Sequence, residues 1–142
     1  MKKSIKVAIS LFLITMMCLS FMSCGNKTVD KGIWENATYT EDMVFGNGSK
    51  TVLVEVKAEE RALAFTIKTD KENLGEALLE HNLIAGENGP YGLYVKKVNG
   101  ITADYNINQA YWAFTKDGES MLTGVDGAEI SDGEHYELVY TK

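Results

Sequence analysis

From Lys50 onward the chain alternates apolar and polar positions with a period of two. Thr51–Lys57 sets Val52, Val54 and Val56 on one face, and Leu63–Thr69 repeats the pattern with Leu63, Phe65 and Ile67. Ala58-Glu-Glu-Arg61 between them predicts a hairpin. The period changes after Asn73, where Leu74, Ala77, Leu78 and His81 follow helical spacing. Asn73 as cap with Glu76 three positions on completes a capping-box pattern, so a short amphipathic helix is predicted. Gly86 and Gly89-Pro90 close that region. Alternation then returns: Tyr91–Val98 leads through Asn99-Gly100 to Ile101–Ala103, and Gln109–Thr115 leads to Asp117-Gly118 and Ser120–Thr123. Glu134–Thr141 closes the chain with Tyr136, Leu138 and Tyr140 on one face. No second helix of comparable quality appears. A hairpin, one helix and further strands predict an α+β fold, specifically a β-grasp-like mixed sheet with one main helix packed across it.

The first residues follow a different logic. Lys2, Lys3 and Lys6 precede the apolar run Val7–Phe21, short for a spanning helix of about 20 residues but suited to a secretory signal. Phe21 at the −3 position before Cys24 disfavours ordinary signal cleavage, which wants small residues at −3 and −1. Ser23-Cys24-Gly25 instead resembles the lipobox of a bacterial lipoprotein, in which a small residue precedes the lipidated cysteine. Residues 1–23 are thus expected to be a lipoprotein signal peptide and Cys24 the lipid attachment point. Residues 24–49, polar and broken by glycines, read as tether and lead-in, in which Trp34 either packs back on the domain, the favoured reading, or inserts at the membrane interface. Residues 50–142 are the working domain. Cys18 would leave with the signal, so the mature chain has one cysteine, bound to lipid, and no intramolecular disulfide. The expected location is the cell membrane, lipid-anchored and facing the extracytoplasmic side.

Charge narrows the partners. The 142 residues carry a net charge of −6. Without residues 1–23 there remain 11 basic and 20 acidic side chains, a net of −9. Such a surface repels phosphate backbones, so nucleic acid is excluded as a partner.

Catalytic signals are absent from the pattern. Two histidines and a lipid-committed cysteine leave no zinc-ligand spacing, and Asp132, Glu134 and His135 read as the polar turn and start of the last strand. Asp126-Gly-Ala-Glu129 and Asp132-Gly133 lack the alternating oxygens of a calcium loop. No nucleophile has a recognisable base, and no phosphate loop or dinucleotide glycine pattern occurs. The chain is therefore read as a non-enzyme with no catalytic residues, no metal and no catalytic cofactor.

Aromatic residues carry the remaining signal: Tyr91, Tyr94, Tyr105, Tyr111, Trp112 and Phe114 fall close together. In an alternating strand Trp112 and Phe114 point one way and Tyr111 the other. Rings on an exposed sheet face suit flat, partly apolar ligands, whereas rings on the inner face are core or cross-strand partners. Both readings stand for each residue.

Leu74-Gly-Glu-Ala-Leu-Leu79, Gly92–Ile101, Ala110-Tyr-Trp-Ala-Phe-Thr-Lys-Asp-Gly118, Gly124-Val-Asp126 and Asp132–Leu138 resemble the DUF4430 domain, the transcobalamin-like C-terminal domain. That resemblance implies a β-grasp module over residues 50–142. In the vertebrate cobalamin carriers the equivalent domain covers one side of the corrinoid. By match to the Tyr-Trp motif, the likeness carries Tyr111 and Trp112 over as ligand contacts; alternation adds Tyr94 and Phe114. The carriers also use a large helical domain that this sequence lacks, so a transporter component or second binding subunit would supply the other wall. The first expectation is an anchored lipoprotein binding a soluble small molecule for uptake, with cobalamin or a related corrinoid as cargo. The second is a protein interaction module using the same aromatic face.

Overall fold

The computed structural model describes residues 32–142. The signal segment and Cys24 lie outside the described residues, as do positions 24–31 of the expected tether. Lys31–Lys142 forms one compact unit.

The strands are β1 (Met43–Gly46), β2 (Lys50–Ala58), β3 (Arg61–Thr69), β4 (Ile84–Gly89), β5 (Gly92–Val98), β6 (Ile101–Thr102), β7 (Tyr111–Lys116), β8 (Glu119–Ser120) and β9 (His135–Thr141). Two α-helices join them, α1 (Leu74–Glu80) and the single turn α2 (Tyr105–Asn108). Six strands make one mixed sheet in the order β1-β3-β2-β9-β7-β8, and β4-β5-β6 make a second sheet of three. The architecture is α+β, mostly strand with few helices.

Alternation works as anticipated in the first hairpin. Val54 pairs with Phe65 and Val52 with Ile67, and all four side chains are buried. The same face of β9 adds Tyr136 and Leu138 to the core through parallel pairing with β2. Helix α1 buries Leu74, Ala77 and Leu78 against this core, and the Asn73 side chain accepts from the Glu76 N–H at 2.9 Å, capping it as the sequence predicts. Asn99-Gly100 and Asp117-Gly118 are two-residue turns with positive φ at both positions, the geometry that matches strand twist and favours these residues.

The structure departs from the sequence reading before Lys50. Residues 32–49, anticipated as the end of the tether, are built into the fold. A 3₁₀ turn over Gly32–Asn36 buries Trp34, as foreseen for that residue, with its indole N–H donating to the Ala58 carbonyl at 3.0 Å. The Arg61 guanidinium lies over the same ring, 4.8 Å from its centroid. β1 then adds to the sheet parallel to β3, with Phe45 edge-on to Phe65 at 5.6 Å between centroids. Asn99 pins the segment from the other side. Its fully buried side chain accepts from the Tyr39 N–H at 2.8 Å and donates to the Tyr39 carbonyl at 2.9 Å. The physical reason is that glycines and polar residues at the surface of this stretch mask the few side chains that tie it down.

Among the described residues no helix is long and apolar enough to cross a membrane.

Candidate functional site

The four aromatic side chains singled out from the sequence do not form one surface. β7 turns Trp112 inward, where it is 7% exposed and packs edge-on to Tyr140 at 5.6 Å. Phe114 follows it inward and stacks on Tyr136 at 5.7 Å. These two rings are spent on core packing, which corrects the expectation that they sit on an exposed binding face. Alternation leaves Tyr111 on the opposite side of the strand, 45% exposed. Tyr94, on β5 of the second sheet, is 44% exposed and lines a pocket that none of the other three reaches.

That pocket, about 500 Å³, is framed by the β4–β5 hairpin, α2 and the loop before Val125. Tyr91 and Tyr94 provide its aromatic surface, and its polar lining residues are Glu87, Asn88, Lys96 and Asn106. Local sequence explains the shape. Gly89 pairs with Gly92 across the tip, so Pro90 and Tyr91 form the turn and Tyr91 stands free of the protein, 97% exposed. Gly92 has φ +102°, and a Cβ there would meet the Asp126 carboxylate at 2.6 Å, so only glycine fits. The space it leaves lets Asp126 accept the Leu93 N–H at 3.0 Å and lock the hairpin to the loop after β8.

Cross-strand register puts Glu87 opposite Tyr94, and β alternation puts Lys96 on the same side as Tyr94. The Lys96 ammonium lies 3.2 Å from Glu87, 3.2 Å from Asp104 and 5.8 Å from the Tyr94 ring centroid. Bonds to Glu87 first, and then to Asp104, hold its pKa above the usual lysine value. Asp104 is nearly buried, and its carboxylate also caps α2 by accepting the Asn106 N–H at 3.0 Å. Large apolar side chains are exposed on both flanking segments. Tyr105 and Ile107 bracket the lining residue Asn106, and Leu122 precedes the lining residue Gly124 by two positions. The arrangement offers a flat, partly apolar bed with a few placed charges, suited to binding a small molecule.

A second charged group occupies the sheet. Glu137 is held below the usual glutamate range by its bond to Lys57 at 2.7 Å, which outweighs the cost of burial, and it also accepts the Gly118 N–H at 2.8 Å. The Tyr136 hydroxyl, buried and bonded to Glu134 at 2.5 Å, is pushed well above the ordinary phenol value. His135 lies 2.9 Å from Glu55 on the same face. Among the described residues no three His, Cys, Asp or Glu side chains gather as a metal site.

The sequence reading found Tyr94 and missed Glu87, Tyr91 as a contact, Lys96 and Asn106. Gly89-Pro90 was the available signal, since a turn followed directly by an aromatic residue presents that ring to solvent.

A small α+β domain with an aromatic, charge-lined pocket has the form of a ligand-binding module. The family described as Domain of unknown function (DUF4430) matches residues 72–142, from just before α1 through β9. The chain belongs to the DUF4430 family. A crystal structure from Ruminococcus gnavus ATCC 29149, provisionally described as a metal-binding protein, is similar at 37% identity and a TM-score of 0.63, covering 66% of this chain and 98% of that one. Haptocorrin in complex with Cbi is similar at 20% identity and a TM-score of 0.53, covering 69% of this chain and 26% of haptocorrin. The second likeness is one of fold, and this chain spans about a quarter of haptocorrin's length. No curated protein matched the chain.

Proposed function

We propose that this protein is an extracytoplasmic lipoprotein, anchored in the cell membrane through Cys24, whose non-catalytic β-grasp domain binds a soluble small molecule for uptake. The observation that carries the binding reading is the pocket lined by Tyr91 and Tyr94, both of which leave aromatic surface open to solvent. The fold shared with haptocorrin supports a corrinoid as the ligand, cobalamin or a relative, as cargo rather than cofactor. One open wall buries only part of such a ligand, so a transporter component or a second binding subunit completes the site. A protein-interaction role is the second reading, favoured by the exposed Tyr105, Ile107 and Leu122 beside the same pocket.

Calorimetry with cyanocobalamin and cobinamide, on a chain beginning at Lys31, tests the first reading. Binding heat that Tyr94→Ala removes without lowering thermal stability is the expected result. No heat at high micromolar ligand refutes direct corrinoid binding by this chain.

A further inference from the structure

The pocket's charge has a direction that its aromatic surface does not. Glu87, Asp104 and Asp126 stand in or against its wall, and Lys96 is the cation among its lining residues. Lys97, the neighbouring base on β5, is not part of the lining. The carboxylates are unequally committed. Asp104 is nearly buried and bonded to the α2 N-terminus, and it shares the Lys96 ammonium with Glu87, each carboxylate 3.2 Å away. Asp126 is held by a backbone N–H, which leaves its negative charge uncancelled. Two carboxylates on one ammonium leave a negative surplus, and of the pair the Glu87 side chain, 74% exposed, is the one open to solvent.

Resting on the small-molecule reading above, we infer that this pocket selects a flat ligand carrying positive charge, with Glu87 as the residue that meets that charge and Tyr94 as the ring beneath it. An incoming cation gains the negative surplus of Glu87 and Asp126 together with the face of an aromatic ring. An anion would have to displace Glu87 from Lys96 and remain beside Asp126. Lys96 already shows the geometry such a ligand adopts, an ammonium over Tyr94 and against Glu87.

Three flat tricyclic dyes of similar size separate the terms: cationic proflavine, uncharged acridone and anionic acridine-9-carboxylate. They are titrated by fluorescence into the chain beginning at Lys31, which holds both sheets, both helices and the described core. Affinity should fall in that order. Glu87→Gln should weaken proflavine roughly three- to tenfold, as expected for one partly exposed charge at contact range, and leave acridone within about twofold. Glu60→Gln, an equal change of net charge in the β2–β3 turn, should leave both dyes unchanged. Tyr94→Ala should weaken proflavine and acridone together. If acridone binding depends on Tyr94 but proflavine binds no tighter, or Glu60→Gln acts as strongly as Glu87→Gln, the charge inference is wrong while the pocket stands. If Tyr94→Ala affects none of the dyes, the pocket reading fails as well.

Discussion

Trp34→Ala asks whether the segment ahead of Lys50 is tether or domain. The indole is 6% exposed, donates one buried hydrogen bond to Ala58 and lies under the Arg61 guanidinium. Truncating a buried tryptophan to alanine costs about 3–5 kcal/mol. In the protein assayed, which begins at Lys31, Trp34 lies close to the N-terminus, where the 3₁₀ turn can relax into the space left behind, so the low end, about 3 kcal/mol, is expected. Each kcal/mol lowers the melting temperature of a domain of this size by about 4 °C, which gives a drop of about 12 °C. Trp34→Phe keeps most of the packing and removes the N–H, and should cost about 1 kcal/mol. Thermal unfolding followed by far-UV circular dichroism, on the chain beginning at Lys31, reads both. A Trp34→Ala protein melting within about 2 °C of the parent would refute the argument and return residues 32–49 to the tether.

Asn99→Ala removes two hydrogen bonds to Tyr39 and places alanine at φ 50°, so a loss of about 2–3 kcal/mol in urea unfolding is expected. Glu137 binds its proton more weakly folded than unfolded, so its contribution is complete above the ordinary glutamate value of 4.5 and is lost as pH falls through its lower folded value. Glu137→Gln should therefore cost about 1–2 kcal/mol at pH 7 and flatten the fall in stability below about pH 4.5; equal acid slopes in parent and variant would contradict this. Labelling of cells with a palmitate analogue should tag the protein through Cys24, and a Cys24→Ser protein that still labels would refute the lipobox reading.

What the sequence exposed and what it hid divide along physical lines. β2 and β3 were legible because each is long, alternates strictly and pairs with its neighbour across a short turn. Helix α1 was legible from its cap and spacing, and β5–β6 from Asn99-Gly100. β1 was not, because four residues give no period and its partner β3 is reached only in three dimensions. β4 reads Ile-Ala-Gly-Glu-Asn-Gly with only Ile84 buried, so it shows no alternation at all. For the aromatic set, the sequence gives sidedness but not which side is inward. Trp112 and Tyr111 were placed on opposite faces, and only the packing of Tyr140 and Tyr136 decides which one is lost to the core. The pocket stayed hidden because Asp126 and Gly124 meet the β4–β5 hairpin from a distant loop.

The position of β9 sets an order on assembly. It lies between β2 and β7, bonded to both, so the stretch His135–Thr141 is the seam of the six-stranded sheet. A chain that has passed Ser120 but not His135 holds two hairpins of this sheet, β2–β3 and β7–β8, each with an unpaired edge toward the gap. Closing it joins segments far apart in sequence, which is a slow kind of step. The six-stranded sheet is therefore continuous only once its last strand is in place, so the segment that comes latest in sequence is the one that joins its two halves.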